Sequence, residues 1–219
     1  MTDPSGQIDH VLAESRTFPP PPEFTAKAVF STMDQYEAAY RRAAEDRDGF
    51  WRDEATEHLH WFEPFQEVCR WQAPNAEWFV GGKTNASYNC LDRNIDAGRG
   101  DRTAIVWEGE PGDTRSLTYS ELRTEVAKCA AALRELGVGV GDVVSVYMPM
   151  TPVLAVTMLA CARIGAIHSV IFDGFSAESI AARNNDAGAK VIVTADGLHR
   201  RGKVLPLKET VDEALAKSP

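Results

Sequence analysis

Three cations, Arg200, Arg201 and Lys203, surround one glycine, Gly202, in the stretch ADGLHRRGK that runs from Ala195 to Lys203. An arginine guanidinium matches a phosphate monoester through paired hydrogen bonds, and a lysine adds a point charge. Glycine in their midst lets the backbone come close to a ligand. The cluster follows AKVIVT, an apolar run that reads as a β-strand, so it falls at a strand's carboxyl end. That is where parallel α/β sheets bind their ligands. Basic clusters are more often solvated surface than binding sites. Here position, glycine and guanidinium chemistry together point to a phosphate-bearing ligand. A second turn, FDGFSAES, runs from Phe172 to Ser179 and joins a strand to a helix N-terminus whose free N–H groups can accept an anion. Asp173 inside it opposes that role.

Other chemistry is weaker. There is no GxxxxGK[ST] loop, and GVGVGD (Gly137 to Asp142) precedes a strand instead of opening a helix. It reads as a helix C-cap and turn, not a dinucleotide fingerprint. His58 and His60 form an HxH beside Glu54 and Glu57, but no third well-placed His or Cys follows, so no metal site is expected. His168 opens an apolar strand and reads as a hydrogen-bonded core residue. No Ser-His-Asp or Cys-His set can be assembled, and no catalytic residue is assigned.

The formal charge of −9 and the sequence pI near 5.1 argue against nucleic acid or an anionic membrane as partner. The cationic turn is therefore a local exception. The cysteines, Cys69, Cys90, Cys129 and Cys161, form no CxxC pair, and MTDPSGQIDH lacks the basic and apolar parts of a secretory signal. Reduced thiols and a cytoplasmic location are expected. The most apolar stretch, TPVLAVTMLACARIGAIHSVIF, is interrupted by Arg163 and Gly165 and reads as core, not as a membrane span.

The elements that must position the cluster follow from periodicity. Residues 1–22, with Pro19 to Pro22, read as a disordered or polyproline-like lead-in. A helix is predicted over Met33 to Phe50, with Tyr36, Tyr40, Ala43 and Ala44 on one face. The aromatic-dense block from Trp51 to Phe79 suggests a small helical subdomain clamped by Trp and Phe anchors. TAIVWEG and RSLTY are predicted to pair as a hairpin around EPGD. Thr118 and Glu121 form a capping box for a helix whose apolar face is Leu122, Val126, Ala130, Leu133 and Leu136. DVVSVYMPM is a buried strand. Thr151 and Pro152 open a helix apolar nearly all round, expected to lie sandwiched. AIHSVIF is a strand, SAESIAARNNDAG a helix from Ser176 to Gly188, KVIVTAD a strand, and PLKETVDEALAKS a helix. Strands alternating with helices imply an α/β fold with a mainly parallel, doubly wound sheet.

WFVGGKTNASYNCLDR (Trp78 to Arg93), WEGEPGD (Trp107 to Asp113), VYMPMTP (Val146 to Pro152), LACARIGAIHSVIFDGFSAES (Leu159 to Ser179) and ADGLHRRGKVLPLK (Ala195 to Lys208) occur in order. Together they resemble the AMP-forming acetyl-CoA synthetases (acetate–CoA ligases) of the adenylate-forming superfamily, from about Phe24 to the last residue. The resemblance implies two steps: acetate and Mg-ATP give acetyl-adenylate and pyrophosphate, and the thiol of CoA then displaces AMP. It implies a lead-in over 1–22, an aromatic-rich N-terminal cap over 23–100, and the start of the large adenylating domain over 101–219. It also implies that the CoA 3′-phosphate lies on Arg200, Arg201, Gly202 and Lys203, best matched at Arg200 and Lys203. Phe172 and Gly174 match the turn along the CoA nucleotide.

Two departures bear on function. The resembled family has glycine where Asp173 stands, and a carboxylate near a polyanion is costly unless it points to solvent or pairs with a cation. By the same resemblance, the ATP-phosphate loop, the acetate pocket, the Mg2+ carboxylate and the adenylation lysine lie beyond Pro219. A 219-residue polypeptide is thus expected to carry part of a CoA site, to lack ligase activity, and to expose an apolar face toward the rest of its chain. A ligase for another short acid such as propionate, and a non-catalytic CoA- or nucleotide-binding module, stay open.

Overall fold

A computed structural model describes residues 16–218; the part of the expected lead-in that covers residues 1–15 lies outside the described residues. The chain parts into two compact units, Met1–Ala55 and Thr56–Pro219.

In the first unit, α1 (Met33–Glu45) is capped by Thr32, whose hydroxyl accepts the Gln35 N–H at 3.3 Å. The single helix predicted to Phe50 is broken at Asp46, which has φ −132° and ψ 69°. Its carboxylate accepts the Gly49 N–H at 3.0 Å and so starts a new helix, α2 (Arg47–His58). Asp favours such side-chain-to-backbone bonds over helix interior geometry. The Tyr36 and Tyr40 rings meet on α1 at 5.6 Å.

The aromatic block does not form the purely helical subdomain expected. After α2 it folds as an antiparallel hairpin, β1 (Glu67–Gln72) and β2 (Asn75–Val80), paired from Glu67↔Val80 to Gln72↔Asn75. Val, Trp and Phe suit a pleated surface, and here that preference outweighs the helix-forming charges between them. Trp61, Phe65 and Phe79 form a ring cluster with centroids 5.0 to 5.5 Å apart. Two π-type turns follow, Tyr88–Asp92 and Ile95–Arg99. They are tied down by Arg163, whose guanidinium grips Asp92 at 2.7 and 3.0 Å, and by Asn85, which donates to the Ala162 carbonyl at 2.8 Å.

The hairpin β3 (Thr103–Glu108) and β4 (Thr114–Thr118) forms as predicted. The capping box at Thr118 and Glu121 opens α3 (Tyr119–Glu135) with both reciprocal bonds made. Leu122, Val126, Ala130 and Leu133 are buried, but Leu136 is 64% exposed. The helix ends before it in a Schellman motif: Gly137 turns left-handed at φ 82°, and the Val138 N–H reaches the Leu133 carbonyl at 3.0 Å. Val138 is buried in the place Leu136 was expected to fill.

The central sheet is parallel, ordered β6 (Ile167–Val170), β5 (Val143–Tyr147), β7 (Ala189–Thr194). On one face Val144 and Val146 pack with α3 and with α4 (Pro152–Ile164) in a single apolar cluster. On the other, Tyr147 and Ile192 pack with α5 (Ala177–Ala187) and α6 (Leu207–Leu215). Ser145 donates to Asn184 across that second interface at 2.6 Å, satisfying two buried polar groups at once. Pro152 enters α4 as expected, whereas the buried Thr151 hydroxyl makes no capping bond. The sandwiching of α4 is incomplete, with Val153 43% exposed, and β6 exposes Ile167 and Val170 at the sheet edge.

Candidate functional site

The cationic stretch is a hairpin of its own. β8 (Leu198–Arg200) and β9 (Lys203–Leu205) pair antiparallel around the two-residue turn Arg201–Gly202. Both turn residues have positive φ, 54° and 73°, as type I′ turns of two-residue hairpins require. Gly202 adopts it freely, while Arg201 does so at a cost of roughly 1–2 kcal/mol. The register places Arg200 opposite Lys203. Like charges in that position repel, and an anion held between them removes the repulsion.

The second turn comes to meet the first. β6 ends before Ile171, and Phe172 to Phe175 loop back over the sheet's carboxyl edge. The buried Tyr147 hydroxyl holds that loop, lying 2.9 Å from the Asp173 carbonyl and 3.2 Å from the Phe175 carbonyl, with its one proton shared between them. Burial and, behind it, the Asp173 charge raise the Tyr147 phenol above its ordinary range, which keeps it a donor. Arg200 lies over the Phe172 ring at 5.6 Å and pairs with Asp173 at 3.5 Å. A Cβ on Gly174 would sit 2.9 Å from the Phe172 ring and 3.4 Å from the Arg200 guanidinium, so any larger residue would push the Phe172 ring from its place beside Arg200.

Phe172, Gly174 and Arg200 are therefore brought together. Arg201, Gly202 and Lys203 lie at the exposed tip, and neither the Arg201 nor the Lys203 side chain pairs with a carboxylate among the described residues. Beside them is a cavity of about 430 Å³, walled by Trp107, Glu110, Met150, Phe172, Asp173 and Arg200. Among the described residues no group of three or more His, Cys, Asp or Glu could hold a metal ion. The His60 ring lies against Tyr88 in a tilted contact at 4.7 Å and edge-on to Phe62 at 4.9 Å.

Three residues of this site were not singled out in the sequence. Tyr147 sits in a strand whose hydrophobic run hides a polar clamp. The Trp107 indole donates to the Met150 carbonyl at 2.7 Å, fixing the β3–β4 hairpin beside the cavity. Glu110, in the β3–β4 turn, accepts the backbone N–H groups of Arg201 and Gly202 at 3.0 and 2.6 Å. WEGEPGD was legible as turn chemistry, but a contact across ninety-odd residues leaves no local signal.

Residues 91–218 match the family model described as AMP-binding enzyme, and residues 36–90 match that described as acetyl-coenzyme A synthetase N-terminus. The chain is 70% identical over 221 residues to an acetyl-coenzyme A synthetase of Rhodopirellula baltica, covering 98% of this chain and 33% of the relative. Proteins of the same name from Rubrobacter xylanophilus and Deinococcus radiodurans are 55% and 49% identical, covering 94% and 100% of this chain and 32% and 33% of theirs. The chain spans about a third of the length of these relatives. With its parallel sheet and its match over more than half its length, the chain belongs to the AMP-binding enzyme family.

Proposed function

We propose that the protein acts as an AMP-forming acetate–CoA ligase and that the residues described here supply its site for the 3′-phosphate of CoA. The observation that carries the site is the meeting of two sheet-end turns. Arg200 touches Phe172 and borders Gly174, while Lys203 faces it across the β8–β9 hairpin. Two cations paired across one hairpin suit a dianionic monoester, and Phe172, 59% exposed, offers a face to an adenine or ribose. The names of the relatives favour acetate as the acid.

In this reading the cap covers 23–100 and the large domain begins at 101, its three parallel strands being the first of a doubly wound sheet. Ile167 and Val170 on the β6 edge then meet a later part of the whole protein. ATP and Mg2+ serve the adenylation step, and CoA enters as second substrate at the rim. A cytoplasmic location and small-molecule partners go with this reading; no described helix is long and apolar enough to cross a membrane.

The test is an assay of the whole natural protein for AMP release. Acetate and ATP alone are expected to give pyrophosphate and bound acetyl-adenylate, and AMP release is expected to need CoA as well and to match the acetyl-CoA formed. Propionate used better than acetate would favour the other short-acid reading. CoA binding without AMP release under any acid would favour a binding module.

A further inference from the structure

We propose that Glu110 is a positioning residue for the CoA phosphate site: its carboxylate clamps the β8–β9 turn and thereby sets the geometry of Arg200 and Lys203. The inference rests on the proposed CoA reading and adds a residue to it. Both carboxylate oxygens are used, Oε2 on the Arg201 N–H and Oε1 on the Gly202 N–H. Charge-assisted bonds of this kind are about twice as strong as neutral ones. They fall on the turn that most needs support, because Arg201 is held at φ 54°, where a side-chain-bearing residue is strained. Two successive N–H groups converging on one carboxylate form an anion-binding concavity, here filled from within the chain.

The clamp has a fixed far end. Glu110 lies in the β3–β4 turn, closed by the Gly109 N–H on the Asp113 carbonyl at 2.7 Å, and the neighbouring strand is anchored through Trp107 to Met150. Without Glu110 the hairpin would keep the packing of Leu198 and the Arg200–Asp173 pair at its base, but its tip would lose its tie to β3–β4 and its two turn N–H groups would be released to water. Arg200 and Lys203 flank the turn directly, so a change in its twist alters the spacing of their charges. Glu110 is also an anion beside a phosphate site. Simple repulsion would make its removal tighten phosphate binding; positioning makes its removal weaken it. The two effects have opposite signs.

The experiment compares CoA with dephospho-CoA as substrates of the whole natural protein, in wild type, Glu110→Ala and Glu110→Gln, with kcat and KM measured separately. Wild type is expected to prefer CoA. Glu110→Ala is expected to lose about tenfold of that preference, through KM for CoA, with KM for dephospho-CoA and kcat nearly unchanged. Glu110→Gln keeps one acceptor oxygen and is expected to fall between. Amide hydrogen exchange at Arg201 and Gly202 should quicken in the same order. A wild-type preference that survives or grows in both variants overturns the clamp and leaves the CoA reading standing. A wild type with no preference for CoA overturns the phosphate assignment and the clamp together.

Discussion

Asp173 and Arg200 form an ion pair at 3.5 Å, with the Asp173 side chain largely shielded and the Arg200 side chain 40% exposed. The carboxylate that looked hostile to a phosphate thus has a cation of its own. It also draws on the charge that the phosphate would use. Asp173→Asn is expected to tighten binding of adenosine 3′,5′-bisphosphate about three- to tenfold by freeing that charge. Calorimetric titration of both proteins measures it, and equal affinities would mean that Asp173 has no electrostatic part in the site.

Tyr147→Phe removes the donor that holds the Asp173 and Phe175 carbonyls. About 1 kcal/mol of stability is expected to go with it. The KM for CoA should rise severalfold with kcat unchanged, because the Phe172–Phe175 loop, not the reacting bond, loses its support. Denaturant unfolding and steady-state kinetics on the same samples check both halves.

The Arg163 guanidinium holds the Asp92 carboxyl below its usual range, outweighing the upward push of burial. A carboxylate depressed in the fold stabilises it above its unfolded value, near pH 4, and that contribution is lost as pH falls through the lower folded value. Stability is expected to drop below about pH 4, and Asp92→Asn to flatten that limb while costing about 1–3 kcal/mol at neutral pH. Unfolding curves from pH 7 to pH 3 test it; parallel curves for the two proteins would remove Asp92 from the account.

Thr118→Ala deletes one half of the capping box that opens α3, leaving the Glu121 N–H without its acceptor at 3.2 Å. A loss of about 1 kcal/mol is expected in thermal or denaturant unfolding.

The parts of the fold that could be read from sequence are those set within a few residues. Thr118 with Glu121, Ser176 with Ser179, and the left-handed Gly165 and Gly188 each write their own helix boundary. Where two local signals compete, the sequence does not show which one wins. Asp46 broke a helix whose alanines argued for continuation, and Leu136 kept helical spacing while Gly137 had already ended the helix. The aromatic block misled because Trp and Phe suit helix anchors and strands alike, and the pairing of β1 with β2, from Glu67↔Val80 to Gln72↔Asn75, decides. At the site, the cations and the glycine were visible because their chemistry is in their side chains. The two-residue hairpin was not, since RG at its tip is a poor copy of the Asn-Gly signal. The partners that organise it, Asp173 excepted, come from β3–β4 and β5, about fifty and ninety residues away.

The Arg200–Lys203 hairpin is proposed to hold the 3′-phosphate of CoA. Titrating CoA and dephospho-CoA against wild type, Arg200→Ala and Lys203→Ala isolates that phosphate. Wild type is expected to bind CoA about ten- to a hundredfold more tightly than dephospho-CoA, and each substitution to erase most of that difference while leaving dephospho-CoA binding alone. Equal affinity of wild type for the two ligands would contradict it.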